Sequence, residues 1–429
     1  MDLFEKDIEA TKRVSRFLRG VTADLPPVLV LGVSANGLSF VRSLGRKGIP
    51  VVAIDSVLLP GMYSRYCKRV ILPDVIDNER TWTDFLRAVG ESLPCKGVII
   101  PTSDAHVLFL SRNRSDLCSY FGFALAEEEV LEKITNKRLQ YEFAESCGIP
   151  IPRTYSPQDI REIDSVVDTF NYPCLLKPYQ SHLWRKYAEN KEKYGGKKLA
   201  VVNTPEELLR TYGEMAKSGV GIMVQERIPG GDDQFYGLLT YFNENSEPLA
   251  IFTKRKLRQT GMGYGDGSFQ VSIWEPTVAE LGIRLLRSMK YRGLAGIEFK
   301  KDPRDGQFKL IEVNPRSVTA EGMAVKSGVD IPYIAYLDII GRKVDVSSSF
   351  SEGLKWVSLE WDFKTFLAYK RHRMLSFTQW IRSLRGKRDY AIWSRDDPLP
   401  FMVMLSRMFR AALRKISYSV GVGKRRWEE

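Results

Sequence analysis

The chain of 429 residues is poor in the side chains that build covalent frameworks and zinc sites, with 5 cysteines and 3 histidines. Cys67, Cys95, Cys118, Cys147 and Cys174 are odd in number, widely spaced and confined to the first half. That pattern argues against a disulfide scaffold or a cysteine zinc site and for free thiols in a reducing cytoplasm. His106, His182 and His372 are too dispersed to suggest a zinc site, and although order alone leaves a Ser-His-Asp triad open, no local nucleophile motif supports one. No apolar run approaches the roughly 18 residues that span a bilayer. The charged opening MDLFEKDIEATKRVSRFLRG lacks the apolar core and cleavage site of a signal peptide, so the expected location is cytoplasmic. A dinucleotide fingerprint is missing too. Gly32 and Gly37 are spaced wrongly for G-x-G-x-x-G, even though Asp55 closes the next predicted strand.

What is present suits a globular protein of two or three lobes, with 44% hydrophobic residues. The net charge of +12 is uneven: from Ser351 onward 17 Lys and Arg stand against 8 Asp and Glu, so +9 falls in the last 79 residues. The remainder is near neutral. This disfavours nucleic acid as a partner of the whole protein and points to a basic appendage with its own role.

Along the chain, a helix ending near Gly20 precedes a βαβ opening: VLVLGV after Pro26-Pro27, a helix from Ser34, and VVAID. Its Gly-rich turn would bring Gly32, Asn36 and Gly37 toward an anion. KGVIIPTSD is a buried strand that delivers Asp104 to a helix start, as a plain N-cap or as a substrate contact. In YPCLLKPY, Lys177 is flanked by apolar neighbours and needs an anionic partner, which a phosphate would supply. KYGGKKLAVV reads as a flap over phosphates or a solvent hairpin. IMVQERIPGGDDQF is a strand entering a Gly-rich turn, where the amides of Glu226 to Ile228 would read an adenine edge and Asp233 would accept from ribose hydroxyls.

The segment from Gly296 to Arg316 carries most of the chemistry. LAGIEF and FKLIEVN flank a turn containing Pro303 and Gly306, which predicts a β-hairpin with Glu298 facing Glu312. Glu312 and Asn314 are two apart and share a strand face, so three oxygen donors meet on one surface. Hard Mg2+ takes one or two carboxylates and completes its shell with phosphate oxygens. Arg316, a permanent cation at the strand end, suits a carboxylate or a transferring phosphoryl group.

Lys137, Lys177, the QERIPGGDD hinge, Glu298 and IEVNPR occur in an order and approximate spacing that resembles the ATP-grasp superfamily, in its carboxylate–amine ligase branch, near D-aspartate ligase-like proteins. The resemblance spans roughly Val28 to Val346. It implies an α/β and α+β architecture: a Rossmann-like pre-ATP-grasp domain over residues 26–130, then a two-subdomain ATP-grasp fold over 131–346, divided near 220. An N-terminal helix over 1–25 and a basic helical C-terminal extension over 347–429 flank them. It implies ATP as cofactor with two Mg2+ ions, replaceable by Mn2+, held by Glu298, Glu312 and Asn314. Lys137 and Lys177 match the phosphate lysines; Gln225, Glu226, Arg227 and Ile228 the adenine hinge; Asp233 the ribose acid; and Arg316 the arginine after the metal ligands. Where the family usually aims one basic residue at the reacting phosphate, this chain offers Lys254, Arg255, Lys256 and Arg258. Arg316 and Arg258 are the expected catalytic residues, with Asn36, Gly37, Asp104 and Lys256 as candidate substrate contacts. The implied activity is amide or peptide-like C–N bond formation between a small carboxylate and an amine through an acyl phosphate. Carboxylation through carboxyphosphate and an inactive nucleotide-binding module are the alternatives.

Beyond Pro400, Phe401, Met404, Leu405, Met408, Phe409, Ala412, Leu413 and Ile416 recur at helical spacing and predict one apolar stripe, with Arg407, Arg410, Arg414 and Lys415 largely outside it. Such a stripe docks on the protein body, on a second copy in a homodimer, or on an anionic membrane at its inner face.

Overall fold

The computed structural model describes residues 3–157, 161–180, 183–184, 199–261, 263–345 and 349–419. Residues 28–122 build a five-stranded parallel sheet in the order β3-β2-β1-β4-β5. Its strands are β1 (Val28–Leu31), β2 (Val51–Asp55), β3 (Lys68–Ile71), β4 (Gly97–Pro101) and β5 (Phe121–Gly122). β1 pairs in parallel with β2 (Val28 opposite Val51) and with β4 (Val28 opposite Val98). Helices cover both faces of such a sheet, so its central strands are continuous apolar runs with every residue buried.

A small four-stranded sheet follows in the order β6-β9-β7-β8, from β6 (Thr154–Tyr155), β7 (Cys174–Pro178), β8 (Ala200–Val202) and β9 (Ile222–Glu226). It has its own core around Ile163, Leu176, Val202, Leu208 and Val224. The expected division near residue 220 sits differently in the structure. β9 belongs to the small sheet, whereas the helices Glu128–Thr135 and Lys137–Ser146 pack on the large sheet, where Leu131, Ile134 and Ala144 join Leu310 and Val313.

The large sheet has seven strands, ordered β14-β13-β10-β11-β12-β15-β16. They are β10 (Phe235–Phe242), β11 (Pro248–Gln259), β12 (Gly267–Ser272), β13 (Gly293–Lys301), β14 (Phe308–Asn314), β15 (Lys355–Val357) and β16 (Arg388–Tyr390). All pairings are antiparallel except β15 with β16. The extension expected as a helical appendage therefore contributes two strands to this sheet. Buried ion pairs fix it further: Asp362 takes both ends of Arg258, and Asp397 binds Arg42 of the helix Ala35–Arg46 at 2.9 Å. The parallel and large sheets share one core, in which Val30 and Phe40 pack with Tyr241, Phe252 and Tyr336.

The five cysteines are free, with Cys174 buried. Among the described residues no helix is long and apolar enough to cross a membrane.

Candidate active site

The predicted hairpin is β13 and β14, and its register sets Glu298 opposite Glu312 and Gly296 opposite Asn314. A register shift after Glu298 leaves Ile311 as an extra residue, a bulge of the kind that re-aims a strand. The helix Lys137–Ser146 grips the outer edge of β14 there. Gln140 exchanges two hydrogen bonds with the Val313 backbone, at 3.1 and 3.3 Å, and Tyr141 donates to the Ile311 carbonyl at 2.6 Å. Asn136 caps this helix, and the Lys137 amide donates to the Tyr179 carbonyl just beyond β7. One junction thus brings two lysines from different elements toward the acids.

Lys137 Nζ lies 2.6 Å from Glu312 Oε1, and Lys256 Nζ lies 2.5 Å from Glu298 Oε2. Lys177 is buried and donates to Gln225 Oε1 at 2.6 Å, while Gln225 donates its amide to Thr154. Burial pushes Lys177 down to about 8; Lys137 adds to that, and Glu312 and Glu298 oppose it. Lys254, also buried, is likewise pushed down to about 8 by burial and by Lys256. Several cations are therefore held near two carboxylates, a charge arrangement that an added polyanion and its counter-ions would complete.

Arg316 donates to Asp104 Oδ1 at 2.7 Å and to Asn314 Oδ1 at 3.1 Å, which ties the first domain to the end of β14. Asp104 opens its helix, but the cap is Ser103, whose hydroxyl accepts from the His106 amide. Asn36 spends its side-chain amide on the Thr102 carbonyl at 2.9 Å and on Ser317 at 3.1 and 3.2 Å. Gly37 packs against Gly32 so closely that a Cβ would stand 2.0 Å from the Gly32 carbonyl oxygen. Asn36 thereby clasps the first sheet to the segment after Arg316, while Gly37 packs on Gly32 and Thr102 within the first domain.

Arg258 is not aimed at the acids. It is buried, held by Asp362 at 2.8 and 2.9 Å and by Ser383, and lies over the Phe269 ring. Lys256, two residues earlier, faces Glu298 and also donates to Gln259 and to the Gly265 carbonyl at 3.0 Å each. The hinge is equally committed. Glu226 accepts from the Arg153 amide and from Arg304, both at 2.9 Å, and its own amide donates to the Arg153 carbonyl. The Ile228 carbonyl accepts from Lys300, which burial and the nearby Arg227 push down to about 8. Asp233 pairs with Arg255 at 2.9 Å.

One residue escaped sequence reasoning. Asp232 is buried and accepts from Gln259, from the Gly263 amide and from Tyr369, so it organises the loop that Lys256 also touches. The Asp-Asp pair was the available signal, but only burial separates its members. The flap at Gly195-Gly196 lies outside the described residues.

Among the described residues no three His, Cys, Asp or Glu side chains form a metal group by themselves. Glu298, Glu312 and Asn314 supply two carboxylates and an amide oxygen on adjoining strands, which fits an ion that draws its remaining ligands from phosphate.

A parallel sheet beside a small sheet and a large, mostly antiparallel one, with Glu298 opposite Glu312 on the large one, is the architecture of the ATP-grasp fold. No family model matches the chain. It is similar to the D-aspartate ligase of Enterococcus faecium, 23% identical over 359 residues, which covers 80% of this chain and 84% of that one. It also matches carbamoyl phosphate synthase large chains, but spans only 20% of the one from Methanoculleus marisnigri. Its fold is similar to that of the N5-carboxyaminoimidazole synthetase of Staphylococcus aureus, solved also with ADP, at a TM-score of 0.58 and 14% identity over 76% of this chain and 80% of that one. The L-amino acid ligase of Bacillus licheniformis superposes at 0.55, with 14% identity over 74% and 75%.

Proposed function

We propose that the chain is an ATP-dependent carboxylate–amine ligase that forms a C–N bond through an acyl phosphate. The observation that carries this is the placement of Glu298 opposite Glu312, each met by its own lysine from another element. The sequence relative named as a D-aspartate ligase supports it.

A carboxylate is a poor electrophile, so one of its oxygens first attacks the γ-phosphorus of ATP and ADP departs. The amine nitrogen then attacks the acyl carbon, sheds a proton to solvent, and phosphate leaves with the oxygen that joined them. Lys137 and Lys177 would meet the phosphate oxygens, Lys137 by exchanging its Glu312 partner for them. Lys256, rather than the pinned Arg258, would face the reacting phosphate. Arg316, held by Asp104, would bind the carboxylate and then the oxyanion, an effect worth about 3–4 kcal/mol for one well-placed donor. Glu298, Glu312 and Asn314 would hold Mg2+, which when bound offsets the charge on the moving phosphoryl group. Because the Glu226 amide is already engaged, adenine would be read by the amides of Arg227 and Ile228, and Asp233 would accept from the ribose.

The test is ADP release by the purified chain with MgATP and pairwise combinations of amino acids and small acids, with mass spectrometry of products. Release that needs both an acid and an amine, with a condensed product, supports the proposal. Bicarbonate-dependent release would mean carboxylation instead. ATP binding without turnover across the panel would mean an inactive nucleotide-binding module.

A further inference from the structure

The helix Leu399–Ser419 packs against the turn Pro60–Tyr63 and is seated by one side. Met404 is buried, Phe401 meets Trp393 edge-on at 5.3 Å, and Arg407 donates to the Leu58 carbonyl. The stripe expected from sequence is thereby split. Met402, Leu405, Phe409 and Leu413 point away from the body, 59%, 47%, 66% and 50% exposed. At about 100° per residue these four positions fall within an arc of about 80°. Arg407 and Arg410 occupy the next arc, where Arg407 reaches Leu58. The helix thus has a docked edge, an outward apolar face and a basic edge.

We propose that this outward face rests on an anionic lipid surface, with the helix in the plane of the headgroups and Arg407 and Arg410 at their level. Charge selects this occupant. The helix Leu399–Ser419 has no Asp or Glu in its sequence, and its described face places Arg407 and Arg410 beside the apolar arc, a charge that suits lipid phosphates. A second copy of the chain fits less well. An antiparallel two-fold contact through this face would oppose the basic edge to itself, with no acid on the helix to relieve it. Because no described helix can cross a bilayer, the contact is peripheral.

Flotation of the full chain with vesicles of phosphatidylcholine, with and without phosphatidylglycerol, tests this. The chain floats with anionic vesicles at low salt, and high salt releases it. Arg410→Gln weakens binding roughly fivefold. Leu405→Ser with Phe409→Ser abolishes it while leaving the thermal midpoint and ATP binding unchanged, because both side chains are exposed. Absence of the wild-type chain from anionic vesicles overturns the proposal. So does a wild-type dimer in sedimentation velocity that the double variant turns into a monomer, which would make the face an interface between copies.

Discussion

Lys137 and Glu312 form a 2.6 Å ion pair between a helix start and the second strand of the hairpin. Under the proposed function each occupies the other's partner position, so nucleotide and metal would separate them. Glu312→Gln is nearly isosteric and frees Lys137, so ATP without metal should bind as tightly as before or more tightly. ADP formation with saturating magnesium should fall at least about a hundredfold, or ~3 kcal/mol in the barrier. Near-normal turnover in this variant would remove Glu312 from the metal assignment.

Burial of Lys177 has a sign that titration can check. Its folded pKa is about 8 against an ordinary value of 10.5, so above pH 8 the unfolded chain binds more protons than the folded one. Stability without nucleotide should therefore rise between about pH 8 and 10.5, and Lys177→Met should flatten the rise while raising stability at neutral pH. Under the proposed function ATP would recharge the lysine, so binding at about pH 8.5 should take up protons, read from calorimetry in buffers of different ionisation enthalpy. Equal ATP affinity and proton uptake in wild type and Lys177→Met would make Lys177 structural.

Lys256 pairs with Glu298, whereas Arg258 is held by Asp362, so under the proposed function Lys256 and not Arg258 would face phosphate. Arg258→Met strands the buried Asp362 carboxylate and should cost about 3–5 kcal/mol of stability, seen in denaturant melts. Lys256→Met should lower turnover with a much smaller stability loss. The reverse pattern would restore Arg258 as the residue facing phosphate.

A fourth prediction concerns the Gly32 turn. With a Cβ at residue 37 only 2.0 Å from the Gly32 carbonyl, Gly37→Val must displace backbone, so it should destabilise the whole shared core. A folded Gly37→Val protein of normal thermal midpoint that loses only substrate binding would contradict this packing role.

The hairpin register was legible in sequence because strand alternation and a Pro/Gly turn leave little freedom. The burial of Lys177 was legible from its apolar strand neighbours, but its partner in the structure is the neutral Gln225 side chain rather than an anion. The Arg258 assignment did not follow the same logic: on β11 two register shifts, near Lys256 and Arg258, disturb the alternation that would sort inward from outward cations. Asp362 and Asp397 were invisible as partners because they lie about 100 and 350 residues away in sequence from Arg258 and Arg42. The tail stripe was legible as apolar, but only docking could divide it into two faces.

The most direct test uses a carboxylate co-substrate labelled with 18O in both oxygens, supplied with MgATP and its amine partner. Transfer of one labelled oxygen into the released inorganic phosphate, in step with amide formation, is the predicted result, since the acyl phosphate oxygen leaves with phosphorus. Phosphate free of label, with both labelled oxygens retained in the acid or with ADP release that depends on bicarbonate, would contradict an acyl-phosphate ligase.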